Sequence, residues 1–295
     1  MRALFILNGS KRKARRIPEV MNAQKLEGEE YNFIFTKHKG DAITLTFENA
    51  STYDILVAVG GDGTIHECVN GLMQLKTLLP EKKLPALLPW PMGSGNDFAR
   101  NFKWTSDAIT ILARFRKGET KKIDIGQVQF QSEKSIYFVN ELSLGLGPKV
   151  VELVEKFPRM IPGRLKFGPA IFLAFLFFKK KKIILRSEEF NSADKAIAVV
   201  IANGKYFGSG IGIAPEAALN DGLLNLTVIG NISLLDYLKH ITTMKQCKKV
   251  VHPHVHYHEL QMIEIMNEGA IETDGELNAH APAKIQIIKA ALEIM

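Results

Sequence analysis

The apolar run Ile55-Leu56-Val57-Ala58-Val59 leads straight into Gly60-Gly61-Asp62-Gly63-Thr64. An unbroken apolar stretch that stops at glycine reads as a strand buried on both faces. Glycines let the backbone turn sharply and approach a ligand closely. A helix is expected from about Thr64, because Ile65, Val69, Leu72 and Met73 fall at helical spacing on one face. Strand, glycine turn and helix together make one unit of a parallel sheet. The helix N-terminus would turn N–H groups and a positive dipole end toward an anion. Asp62 adds a carboxylate suited to managing magnesium. The turn therefore points first to nucleotide-dependent phosphoryl transfer.

The patterning around this turn divides the chain. Residues 2–8, 31–36, 54–59 and 84–88 read as strands, with Phe33 and Phe35 on one face of the second. Helices are expected from Gly40-Asp41-Ala42 to about Asn49, and from a Ser106 cap to Lys117 with Gly118 as stop signal. Beyond about Lys122, strand signals follow one another at 123–130, 135–144, 182–186, 196–203, 223–229, 256–266 and 284–288. Helices are expected near 150–157, 165–178 and 234–246. Alternation followed by a run of strands implies two domains. The expectation is an α/β nucleotide-binding domain over 1–123 with a parallel sheet, with residues 289–295 packing back on it. A mostly antiparallel β domain is expected over 124–288.

Charge and cysteine usage narrow the partners. The formal net charge is +7, which favours nucleotides, nucleic acid or acidic lipid headgroups without choosing among them. No nucleic-acid recognition motif is evident. Two cysteines, Cys68 and Cys247, fit a reducing compartment better than a disulfide scaffold. The longest apolar run, 170–178, is far short of the roughly 20 residues that span a bilayer. The N-terminal apolar stretch is too short for a secretory signal. The expected location is cytoplasmic, with membrane contact only at the surface.

A second small-residue loop, Pro91-Met92-Gly93-Ser94-Gly95-Asn96-Asp97, follows another strand. Asn96 and Asp97 also suit a helix cap. Two such loops lie where open α/β sheets bind ligands, beyond the carboxyl ends of the strands. With them the chain resembles the diacylglycerol kinase catalytic-domain family, the bacterial lipid kinases akin to sphingosine and ceramide kinases. The resemblance runs through Asn8 and Ser10, Thr36 with Gly40-Asp41-Ala42, residues 60–64 with Glu67 and Asn70-Gly71, and residues 93–98. It continues through Asn203-Gly204, Gly208 and Gly210, Asn220-Asp221-Gly222-Leu223, and Asp274-Gly275-Glu276.

The resemblance implies a phosphofructokinase- or NAD-kinase-like N-terminal domain, a β-sandwich after it, and the cofactors ATP and Mg2+. ATP phosphates would lie over Gly61, Asp62, Gly63, Thr64, Ile65, His66 and Glu67, with contacts from Asn8, Ser10, Thr36 and Ser94. Asp62 would act on the catalytic magnesium, with Asp97 in the same network. A second, structural magnesium would be held by Asp221 with the carbonyls of Ala218 and Leu223. Glu276 would be the catalytic base, with Asp274 beside it. The implied reaction is γ-phosphoryl transfer to a lipid hydroxyl, with diacylglycerol as leading acceptor. Oligomeric state, a homodimer included, is left open. This chain departs from the family with Gly9 where Asn-Pro is common, Ser94 for threonine and Asn220 for a second aspartate.

The chemistry gives Glu276 an independent rationale. A hydroxyl must lose its proton as it attacks phosphorus, and a carboxylate within hydrogen-bond reach can take it. The plainer reading of Asp274-Gly275-Glu276 is a polar hairpin turn. Alternative functions are an NAD kinase, which shares the Gly-Gly-Asp-Gly-Thr turn, and a non-catalytic nucleotide or lipid sensor. Lys11, Arg12, Lys13, Arg15 and Arg16 read as a solvated loop or as a contact with phosphate or an anionic membrane. Lys179 to Lys182 after the apolar run read as the basic end of a core helix, or as an interfacial anchor. His252, His254, His256 and His258 alternate, so a strand would put them on one face. Their plain reading is an exposed strand face, not a metal site. Cys68 is expected in the core.

Overall fold

The structure, a computed structural model, describes residues 1–132, 135–158, 160–161 and 163–295. The chain divides into two compact units: Met1–Ile123 with Ala290–Met295, and Asp124–Lys289.

In the first unit, β1 (Arg2–Leu7), β2 (Glu30–Phe35), β3 (Ile55–Gly60) and β4 (Ala86–Pro91) are all parallel, in the order β2-β1-β3-β4. Every residue of β3 and β4 is buried, as sheets covered on both faces require. The helices are α1 (Ile17–Ala23), α2 (Asp41–Asn49), α3 (Asp62–Leu78), α4 (Asp97–Arg100) and α5 (Ala108–Lys117). One face of the sheet packs Phe5, Val57, Leu88 and Trp90 against Ile111, Leu112 and Phe115 of α5. Tyr31 and Phe33 join that core, whereas Phe35 at the strand end is exposed. Gly71 lets α3 press on α2: a Cβ there would lie 2.6 Å from the Ile43 carbonyl. The C-terminal residues add Ile294 beside Leu87 in parallel, and the Lys76 ammonium donates to the Ala291 carbonyl at 2.6 Å.

The second unit is a β-sandwich with mostly antiparallel strands. Its elements are β5 (Lys121–Phe130), β6 (Ser135–Phe138), β7 (Glu141–Gly145), α6 (Leu146–Lys156), α7 (Gly163–Phe177), β8 (Lys181–Arg186), β9 (Asn191–Ala196) and β10 (Ala198–Ala202). Then follow β11 (Tyr206–Phe207), β12 (Ile211–Gly212), β13 (Leu224–Ile229), α8 (Leu234–Lys245), β14 (Val255–Leu260), β15 (Met262–Thr273) and β16 (Glu276–Ile294). The antiparallel order β14-β13-β10-β7-β15 carries the core residues Leu142, Val199, Leu226 and Ile271.

Several elements differ from the sequence reading. Residues 135–144 form two strands, because the amides at 139–141 turn toward a side chain, Asp274, instead of a ladder partner. Residues 256–266 likewise divide between β14 and β15. The polar strand β9 lacks an apolar signal; among the described residues it pairs with β8. Asp107, not Ser106, caps α5, accepting the Thr110 N–H, while the Ser106 carbonyl accepts from the Trp90 indole. Only His256 and His258 lie on a strand; His252 and His254 precede it. Among the described residues no group of three or more His, Cys, Asp or Glu side chains gathers to hold a metal. Cys68 is fully buried, and burial pushes its thiol up to about 12.

The core-helix reading of 165–178 also changes. Ala170 and Ala174 face inward, but Leu165, Phe172, Leu176 and Phe177 are exposed, Phe177 at 73%. The lysines after it lie beyond the helix end, with Lys181 and Lys182 already in β8. No described helix is long and apolar enough to cross a membrane.

Candidate active site

In the first unit the two glycine loops meet. A Cβ added at Gly93 would stand 2.5 Å from the Gly61 Cα, so the backbones touch where side chains would forbid it. Gly61 is the N-cap of α3 and lies in extended backbone. Its carbonyl accepts the N–H groups of Thr64 and Ile65 at 3.0 and 3.1 Å. Asp62 and Gly63 stand at the first two helical positions, which have no intrahelical acceptor. Thr64, Ile65 and His66 are buried, and the Ile65 side chain belongs to the core.

The surrounding polar groups hold the loops in shape. The Asn8 amide donates to Thr64 Oγ1 at 3.1 Å, and Asn8 Oδ1 accepts the Ser10 hydroxyl at 2.6 Å. The Gly9 N–H donates to Thr36 Oγ1 at 3.2 Å, a bond that proline could not make. Glu67 accepts the Gly40 and Ala42 N–H groups at 2.8 and 3.1 Å, which fixes the start of α2. Asn96 adopts φ 54° and closes the second loop, its Oδ1 accepting the Gly93 N–H at 2.8 Å. Asp62 Oδ1 accepts the Phe98 N–H at 3.0 Å and so caps α4. Asp97 is buried beside Arg100 at 3.3 Å, and Ser94 is half-buried in the loop.

The second unit holds the other candidate residues. Asp274 and Gly275 have φ of 50° and 84°, a two-residue hairpin turn between β15 and β16. A left-handed aspartate persists here because its buried carboxylate accepts three backbone N–H groups. These are Val139 at 2.9 Å, Asn140 at 2.8 Å and Glu141 at 3.2 Å. Glu276 follows at the start of β16, half-buried. Asp221 is exposed and accepts the Leu223 N–H at 3.0 Å, with Ala218 half-buried just before it.

Sequence reasoning missed three buried carboxylates. Asp124 accepts the Gly222 N–H at 2.7 Å and thereby shapes the turn that carries Asp221. Glu272 Oε1 accepts the Ser143 hydroxyl at 2.5 Å, and Oε2 accepts the Gly275 N–H at 2.9 Å. Its carboxyl also hydrogen-bonds to Glu141. Burial, with the Asp274 charge adding to it, outweighs these bonds and pushes Glu272 up to about 7. Glu141 follows Asn140 and Glu272 precedes Thr273 and Asp274, so no local pattern marks either glutamate as buried.

Paired glycine loops over a helix N-terminus, in a chain that also carries an acidic hairpin on a β-sandwich, define a phosphotransferase plan. Comparison with known proteins places the chain within it. Residues 2–128 match the diacylglycerol kinase catalytic domain, and residues 140–295 match the YegS C-terminal NAD kinase beta sandwich-like domain. A diacylglycerol kinase of Staphylococcus haemolyticus is 30% identical over 95% of this chain and 82% of its own length. A Yersinia enterocolitica protein named "Probable lipid kinase YegS-like" is 27% identical over 98% of this chain and 95% of its own. The crystal structure of a diacylglycerol kinase from Bacillus anthracis superposes with a TM-score of 0.70 at 20% identity, covering 99% of this chain and 96% of that one. The chain belongs to the diacylglycerol kinase and YegS-like lipid kinase family.

Proposed function

We propose that this protein transfers the γ-phosphoryl group of ATP to a lipid hydroxyl, with diacylglycerol as leading acceptor and phosphatidic acid as product. The observation that carries the reading is the contact of Gly61 with Gly93 at the N-terminus of α3, a cradle that any Cβ would fill. Phosphate fits it through the backbone N–H groups and the helix dipole. Asp62 and Asp97 offer the oxygen donors that a hard cation prefers. Magnesium bound there would neutralise phosphate charge as the leaving group departs. Asn8, Ser10, Thr36 and Ser94 are assigned to orient ATP around the same loops. A second, structural magnesium is assigned to Asp221 with the carbonyls of Ala218 and Leu223, an all-oxygen set.

Glu276 is assigned as the base. The lipid oxygen forms a bond to phosphorus, its proton passes to the Glu276 carboxylate, and ADP leaves with the broken bridging bond's electrons. Two features of the second unit support an apolar acceptor. A cavity of about 540 Å³ is lined by apolar Leu144, Phe178, Ile183 and Ile271 and by polar Lys149, Glu152, Lys181 and His280. Its size falls within the roughly 300–1,000 Å³ of ligand sites. The exposed Leu165, Phe172, Leu176 and Phe177 of α7, followed by Lys179 to Lys182, suit contact with an anionic bilayer surface.

The test is lipid-dependent ATP consumption by folded variants. Glu276→Gln should lower turnover by roughly 10²–10⁴-fold, the span of general-base catalysis. Asp62→Ala should abolish it. Near-normal turnover in Glu276→Gln would remove the base assignment.

A further inference from the structure

Glu276 is mounted on a turn that is gripped at two points. Asp274 is fixed by the amides of residues 139–141, and the Asp274 N–H donates to the Glu141 carbonyl at 3.0 Å. Gly275, one residue nearer to Glu276, is gripped only from below, by Glu272 Oε2. Glycine at φ 84° has no Cβ contact within 4 Å, so packing does little to hold it. The grip itself is braced. Ser143 lies opposite Glu272 in the β7–β15 ladder and donates its hydroxyl to Oε1. Gly147 at the start of α6 leaves room for this pair: a Cβ there would clash with Ser143 Oγ and stand 3.4 Å from Glu272 Oε1.

We propose that Glu272 is a positioning residue: through the Gly275 N–H it sets the direction of Glu276, with Ser143 and Glu141 holding its carboxyl group in place. The inference rests on the assignment of Glu276 as base. Glu272 is 2% exposed and so does not itself meet substrate. A buried acid this costly to desolvate stabilises nothing by its charge. Its geometry instead fixes the turn, and misplacing a reacting group by an ångström costs about 10²-fold in rate.

Three variants of the full chain test this, assayed with ATP and diacylglycerol vesicles. Glu272→Gln keeps an oxygen for the Gly275 N–H and a donor for Glu141, so kcat should stay within about threefold of the parent. Glu272→Ala should lose kcat by roughly 10²-fold with KM for ATP unchanged, since the phosphate loops are untouched. Ser143→Ala, which removes only the brace, should fall between them. Glu276→Gln runs in parallel: if it keeps full turnover, the base assignment fails and the positioning role goes with it. If Glu276→Gln is inactive while folded Glu272→Ala retains kcat, the positioning role alone is overturned. Should Glu272→Ala not fold, equal loss of kcat in Glu272→Gln and Ser143→Ala would contradict the proposal, and the graded order would support it.

Discussion

Asp62 and Asp274 each stand in a glycine turn that follows a strand, yet the two turns are built in opposite ways. The Asp62 carboxylate is half-exposed, and its Oδ1 accepts the Phe98 N–H. The Asp274 carboxylate is buried and accepts three. Around Asp62 the walls are backbone, brought close by Gly61 and Gly93. Around Asp274 they are side chains, with Glu272, Glu141 and Ser143 packed beneath the turn. The first arrangement is a backbone turn at a helix N-terminus. The second spends its polar groups on itself and holds the next residue, Glu276, still.

This contrast predicts that the two aspartates fail differently. Asp274→Ala would leave three buried N–H groups without their acceptor, at roughly 1–3 kcal/mol each. Its melting temperature should drop sharply, and amide exchange at residues 139–141 should accelerate. Asp62→Ala removes one cap from a four-residue helix and should cost no more than about 1–2 kcal/mol, while turnover disappears. Equal destabilisation by both would break the comparison.

Gly93→Ala comes next in size. Its methyl would collide with the Gly61 backbone, so KM for ATP should rise about tenfold, worth about 1.4 kcal/mol, and the melting temperature should fall as the two loops are forced apart. A smaller effect belongs to Glu272. Its carboxyl is held up at about 7 in the folded chain against the ordinary 4.5 of a glutamate. Stability from this group is therefore full below about pH 4.5 and lost as pH rises through 7. Glu272→Gln, neutral throughout, should flatten that decline and be more stable than the parent at pH 8, by on the order of 1–3 kcal/mol. Thermal melts across pH 5–8 check it, against the Glu141 and Asp274 charges that face the same carboxyl. Smallest of all, Phe172→Ser with Leu176→Ser should reduce sedimentation with anionic vesicles while leaving the melting temperature within a few degrees.

The parts legible in the sequence were those written in local pattern. Residues 55–64 announce strand, turn and helix because each neighbour agrees with the next, and the Gly71 and Gly93 positions sit in recognisable motifs. Asp274-Gly275 has the residue types a tight hairpin needs. What stayed hidden depends on distant partners. Glu272 meets Ser143 from 129 residues away, and nothing near Ile271 says that a glutamate there is buried. The break between β6 and β7 is set by Asp274, which lies far downstream. Helix α7 is apolar on all sides, so periodicity could not show which of its residues face out.

The most direct test supplies γ-labelled ATP and magnesium to the protein with diacylglycerol vesicles and NAD together, and follows the label by mass spectrometry. The account predicts label in phosphatidic acid, none in NAD, and loss of transfer on chelation of magnesium. Label in NAD with none in lipid would contradict it.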